Sequence, residues 1–142
     1  MSIRSFLAPL ALTLALVACG GGPVVLQVKG TPSSPGSDAV VTAKIDSARI
    51  QTELKIETEK LPAPERIDPG SKFYVIWARK DTKGGWTRLG SLEYDEGKQA
   101  GKWMGTYPDT SFDVAISVEK EAAPGAPSPK NVFEAHVMKT AN

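Results

Sequence analysis

From Ala39 onward, apolar residues recur at every second position, and this period constrains the fold more than any other feature. The clearest stretch is 50–59. Ile50, Thr52, Leu54, Ile56 and Thr58 fall on one face, and Gln51, Glu53, Lys55, Glu57 and Glu59 on the other. Successive side chains of a strand point to opposite faces, so this pattern predicts a strand with one dry face and one wet face. A sheet of such strands has to bury its dry face against a second layer.

The rest of the chain repeats the signal. Val41, Ala43 and Ile45 alternate just upstream, with Asp46-Ser47 as a turn. Phe73, Val75 and Trp77 alternate with Tyr74, Ile76 and Ala78, so both faces of that strand are expected to be covered. Gly84-Gly85 turns the chain into a strand over 86–94, and Asp95-Glu96-Gly97 makes the next turn. A short strand over 102–107 ends at Pro108-Asp109. Phe112, Val114, Ile116 and Val118 face inward on the next strand, and 132–138 is the last. Between those two lies 122–130, with Pro124, Pro127 and Pro129. Proline lacks the N–H that a ladder needs, so this is a loop. The pattern predicts an all-β, immunoglobulin-like antiparallel β-sandwich of about seven or eight strands over 39–142. The cysteine and tryptophan hallmarks of antibody domains are missing.

The first 18 residues read differently. Arg4 precedes an apolar run over 6–18, interrupted by Pro9 and Thr13 and stopped by Gly20, Gly21, Gly22 and Pro23. A membrane-spanning helix needs roughly 20 apolar residues. A short basic region, a shorter apolar core and small residues at its end describe a cleaved secretory signal helix. Leu16-Val17-Ala18-Cys19-Gly20 then resembles the lipobox of bacterial lipoproteins. That resemblance implies alkylation of the Cys19 thiol by a diacylglyceryl group, cleavage after residue 18, and often acylation (palmitate, for example) of the new amine. Cys19 is the single cysteine, so an intramolecular disulfide is impossible, and an odd cysteine in an exported chain calls for a partner or a modification. Residue 20 is glycine rather than the aspartate that retains such proteins at an inner membrane. The expected location is therefore the outer membrane, where the cell has one. Residues 19–38, rich in Gly, Pro and Ser, read as the lipidated cysteine and a flexible tether, and 24–28 has the composition of an edge strand.

Cleavage would leave 124 of the 142 residues, enough for one domain of modest core. The chain carries 17 basic and 16 acidic residues, and Arg4 leaves with the signal. The neutral remainder argues against a nucleic-acid partner and against a polybasic membrane contact. The lipid is expected to be what holds the membrane.

Chemistry-bearing residues are few. His136, the only histidine, falls in the last strand in phase with Glu134 and Met138, as a surface or edge residue. It is the only base that a catalytic serine could use, and Gly90-Ser91-Leu92 lacks the second glycine of a nucleophile elbow. Asp95-Glu96 and the pair Asp109 and Asp113 sit in or beside turns, where acidic residues are ordinary, and no loop has calcium-site spacing. Four cysteine or histidine ligands for a structural zinc do not exist in this chain. No catalytic residue, metal or cofactor is expected. Trp77 is expected in the core. Trp86, Trp103 and Tyr107 are the candidates for an exposed aromatic platform that would take carbohydrate.

Leu61-Pro62-Ala63-Pro64, then Tyr74-Val75-Ile76-Trp77, Leu89-Gly90, Phe112-Asp113-Val114 with Glu119, and Pro127 and Pro129 follow an order similar to that of the extracytoplasmic C-terminal domain of anti-sigma-K factors. The resemblance covers roughly residues 53–137. It implies an envelope-facing β-sandwich. Sigma-factor inhibition does not carry over, because no cytoplasmic sigma-binding segment or spanning helix is present in this sequence. The expected function is a non-enzymatic lipoprotein module that binds an envelope protein or supports an assembly. Carbohydrate binding and an extracytoplasmic sensor role are the alternatives.

Overall fold

The computed structural model describes residues 22–140; Cys19 and the expected signal over 1–18 lie outside them. The described residues form an all-β sandwich. Its strands are β1 (Val24–Lys29), β2 (Asp38–Asp46), β3 (Gln51–Glu59), β4 (Phe73–Arg79), β5 (Thr87–Ser91), β6 (Glu93–Asp95), β7 (Ala100–Tyr107), β8 (Ser111–Glu119) and β9 (Asn131–Met138). A single helical turn, α1 (Pro64–Ile67), lies between β3 and β4. One sheet has the order β1-β2-β3-β7-β6 and the other β5-β4-β8-β9, with every neighbouring pair antiparallel.

The period of two explains which side chains meet between the sheets. Thr52, Leu54, Ile56 and Thr58 of β3 are buried, while Glu53, Lys55, Glu57 and Glu59 are exposed. Val41 and Ala43 from β2 join them, and Tyr74, Ile76, Phe112, Val114, Ile116, Val118 and Val137 face them from the other sheet. Ile50 departs from the expected pattern. It belongs to the turn between β2 and β3 and is 60% exposed.

Nine strands form where seven or eight were expected, for two reasons. The stretch 86–94 is not one strand. It breaks at buried Leu92, so that β5 pairs with β4 in one sheet and β6 with β7 in the other. The Leu92 N–H donates to the Tyr74 carbonyl at 2.8 Å. Its side chain occupies the space over Gly101, where a Cβ would come within 2.3 Å of Leu92 Cδ2. The second reason is β1, the edge strand that the composition of 24–28 suggests. Part of the expected tether over 19–38 is sheet, since Val24, Leu26 and Val28 pack on the core and the strand pairs along its whole length with β2. The turn that follows is folded as well. Ser34 and Ser37 are buried, their hydroxyls lie 2.6 Å apart, and Ser37 Oγ donates to the Lys60 carbonyl at 2.8 Å. The sandwich therefore begins at the first strand, Val24–Lys29, rather than at Ala39.

A corner carries the chain from β3 to β4 over one end of the sandwich. Leu61 is fully buried there. Tyr74 donates its hydroxyl to the Pro62 carbonyl, and Tyr94 donates to the Leu61 carbonyl at 2.6 Å. The two rings meet edge to face at 5.3 Å. Burial pushes both phenols above their usual range, so each stays protonated and able to donate.

Candidate functional site

The two central strands of the four-stranded sheet, β4 and β8, are largely buried on both faces. Val75, Trp77, Ala115 and Ser117 alternate with the core-facing residues of β4 and β8 and are nevertheless no more than 1% exposed. Trp77 is thus buried as expected, but on the side facing away from the other sheet. Its indole N–H donates to Ser117 Oγ at 2.8 Å, and Ser117 donates to Glu119 Oε2 at 2.7 Å. The same carboxylate oxygen accepts the Ser128 N–H at 2.8 Å, which fixes the proline-rich loop to the sheet. Ser128 Oγ adds a bond to the Val118 carbonyl, and the Ala122 carbonyl reaches Ser91 on β5. Since β4 lies between β8 and β5, the loop crosses over it.

Beyond the loop, the same face carries a polar cluster. Strand register brings Arg79 of β4 opposite Asp113 of β8, and Asp113 opposite His136 of β9. Arg79 Nε donates to Asp113 Oδ2 at 3.0 Å, and His136 Nδ1 lies 2.7 Å from Asp113 Oδ1. His136 Nε2 is 3.4 Å from Ser111 Oγ. The Arg79 guanidinium stacks 4.3 Å from the centre of a Trp86 ring, a cation–π contact of about 0.5–1 kcal/mol at such a half-exposed site. Glu134 and Ala135 complete a shallow depression of about 280 Å³. Burial pushes the Asp113 carboxyl up. Hydrogen bonds from His136 and Arg79, together with their charges, outweigh it and hold the group below the usual carboxylate range.

Ser111, His136 and Asp113 stand in the order used by serine hydrolases. The surroundings do not complete that chemistry. An oxyanion needs free donors beside the nucleophile, and the N–H groups of Thr110 and Ser111 are both committed to Asp109 Oδ1, at 2.6 and 3.3 Å. Arg79 already neutralises the carboxylate that would have to stabilise an imidazolium. The cluster offers an aromatic face, a guanidinium, an imidazole and carboxylates within one depression.

The three expected platform aromatics do not come together. Trp86 lies on the outer face with Arg79. Trp103 and Tyr107, on β7, pack against the core between the sheets. Trp103 sits against Gly90 and Gly105, and the Tyr107 ring tilts onto Phe112 at 4.6 Å. Asp109 caps the turn into β8, and Asp95 accepts the Lys98 N–H in the turn after β6. His136 lies at the surface, as its phase in β9 implies. Among the described residues, no three acidic, histidine or cysteine side chains are placed to hold a metal ion. Sequence reasoning missed Arg79 and the joining of Asp113 to His136. Their only trace in the sequence is a position near strand ends, and strand order is not encoded in the period. Among the described residues no helix is long and apolar enough to cross a membrane. No family model matches the chain, and no curated protein or solved structure matches it either.

Proposed function

We propose that this chain is an exported envelope lipoprotein, held on a membrane through acyl chains on Cys19, whose sandwich is a non-enzymatic module for binding another envelope protein. The observation that carries the binding role is the Trp86–Arg79–Asp113–His136 depression. Tryptophan and arginine dominate the energetics of protein interfaces. This surface offers both, already stacked on each other, in a domain whose other two tryptophans serve internal packing. Arg79 is held by Asp113 and Trp86, so little side-chain entropy would be lost on binding. The lipid supplies location, and the basis for that part is the Leu16-Val17-Ala18-Cys19-Gly20 sequence.

The two halves of the proposal are tested separately. Cells fed labelled palmitate should mark the wild-type chain and not the Cys19→Ser variant; label that persists in the variant overturns the anchor. For the binding role, crosslinking of the acylated chain in intact cells should recover a discrete partner. Trp86→Ala and Arg79→Ala should each reduce that recovery about tenfold or more, the effect of an interface hot spot. A partner recovered equally well with both variants would remove the depression from the interface. No discrete partner at all would count against the module as a binder.

A further inference from the structure

We infer that the end of the sandwich where β1 begins rests on the lipid bilayer, with the β2–β3 turn at Ile50 as its point of contact. The inference rests on the anchoring of Cys19 proposed above. Chain length makes the case first. Five residue steps separate Cys19 from Val24, the first residue of β1. They span at most about 18 Å even when fully extended. Val24 pairs with Ala43, but β2 continues to Asp46 before turning. The hairpin therefore projects about 10 Å beyond the start of β1. A lipid attached at Cys19 can lie no more than about 8 Å beyond the tip of that hairpin, which is about the depth of one headgroup layer. The folded turn for 30–37 and the pairing of β1 remove the slack that a long tether would have given.

Topology places other elements at the same end. The strands are antiparallel throughout, so the ends of β2, β4, β7 and β9 and the starts of β1, β3, β5 and β8 share it. Among the described residues the exposed large apolar side chains are Val25, Ile50, Met104 and Met138; Ile50 and Met138 lie at this end, while Val25 and Met104 stand in one row across their sheet, through Thr42 and Lys55, farther from it. Ile50 is 60% exposed and Met138 51%. Charge does not decide the contact. Lys44, Arg49, Lys80, Lys83 and Lys139 are there, but so are Asp46, Glu53 and Asp81. Apolar side chains flanked by both signs of charge suit the boundary between headgroups and acyl chains, and exposed apolar patches mark such sites.

Ile50 supplies an independent observation. Its φ is 53°. A β-branched residue in the left-handed region is a genuine outlier, costing roughly 1–2 kcal/mol. The turn would be better served by glycine or asparagine, and the side chain gains almost nothing from burial. A strained β-branched residue left mostly exposed fits a contact made outside the domain.

Depth measurement on the acylated full chain tests this. Acylation consumes the only native thiol, so Ile50→Cys, and Lys98→Cys at the opposite end, each present a single site for a fluorophore. The chains are reconstituted in vesicles of phosphatidylethanolamine and phosphatidylglycerol. Quenching by nitroxide-bearing lipid should be at least threefold stronger at position 50 than at 98, and quenching by aqueous iodide at least threefold weaker. Amide exchange on the unlabelled chain guards against a dye that inserts by itself. Residues 47–50 should exchange more slowly on vesicles than in the soluble Cys19→Ser form. A chain that floats with the vesicles but shows equal quenching at 50 and 98, or unchanged exchange, overturns the contact and leaves the anchor standing. A chain that does not float at all overturns both.

Discussion

Trp103 closes its indole over Gly105, so that a Cβ at position 105 would come within 2.3 Å of Trp103 Cζ2. Gly90, across the seam on β5, touches the other side of the same ring, with a notional Cβ 2.6 Å from Nε1. The ring fills the gap between β5 and β7. Gly105→Ala should therefore cost about 1–3 kcal/mol, the range for forcing a methyl into a packed interior. Denaturant melts check this. The double variant Gly105→Ala with Trp103→Leu should lose less than the sum of the two single changes, because the clash disappears with the ring.

Glu119 holds the proline-rich loop through Ser128 and supports Trp77 through Ser117. Glu119→Ala leaves a buried hydroxyl and an N–H without their acceptor. The expected loss is about 2–3 kcal/mol. Glu119→Gln keeps a carbonyl acceptor and should lose less. Trypsin should cut after Lys120 and Lys130 at least several-fold faster in the alanine variant than in the wild type. Equal cutting rates would show that the loop is held by something else.

Asp113 should show as an acid-sensitive element. Its carboxyl lies below the ordinary value of 3.8 in the folded protein. Its contribution is thus fully present above the pKa of the unfolded chain and is lost as pH falls through the lower folded value. Asp113→Asn should destabilise by about 1 kcal/mol at neutral pH, a modest figure because His136 is half exposed. The difference between the two proteins should shrink steadily toward the acid end. Thermal melts across pH read it directly, and a constant difference at all pH values would contradict the ion-pair account.

Ile50 predicts a gain. Asparagine tolerates the left-handed region, so Ile50→Asn should raise the stability of the soluble domain by about 1 kcal/mol. On vesicles, the same variant should no longer show the amide protection of residues 47–50. A variant that melts higher in solution yet exchanges freely on vesicles would separate the folding role of this turn from its proposed membrane role.

The sequence was most informative where one period ran unbroken. In β3 the alternation named the buried residues, because a strand with one wet face leaves no other arrangement for Leu54 and Ile56; in β8 it named the core-facing Val114 and Ile116, while Ala115 and Ser117 between them are buried as well. It was least informative where a local signal competed with a long-range one. Gly, Pro and Ser over 20–38 favour a tether while the composition of 24–28 favours an edge strand, and the free edge of β2, which Val24, Leu26 and Val28 fill, decides for the strand. Likewise, nothing local in 86–94 marks Leu92 as the residue at which the chain changes sheets, since the cause is the room left above Gly101 on a distant strand.

The candidate site divides in the same way. His136, Asp113 and Trp86 were each visible as residue types, and His136 was placed correctly on the surface by its phase. By itself the sequence determined the class of fold, most of the inward faces, the near-neutral charge and the single thiol, because periodicity and composition are local properties. Only the tertiary structure decided that Arg79, Asp113 and His136 stand side by side and that Trp103 is packing rather than platform. It alone also paired the first strand along its whole length with β2. These are matters of strand order and register, which depend on which edges and cavities the rest of the chain leaves open.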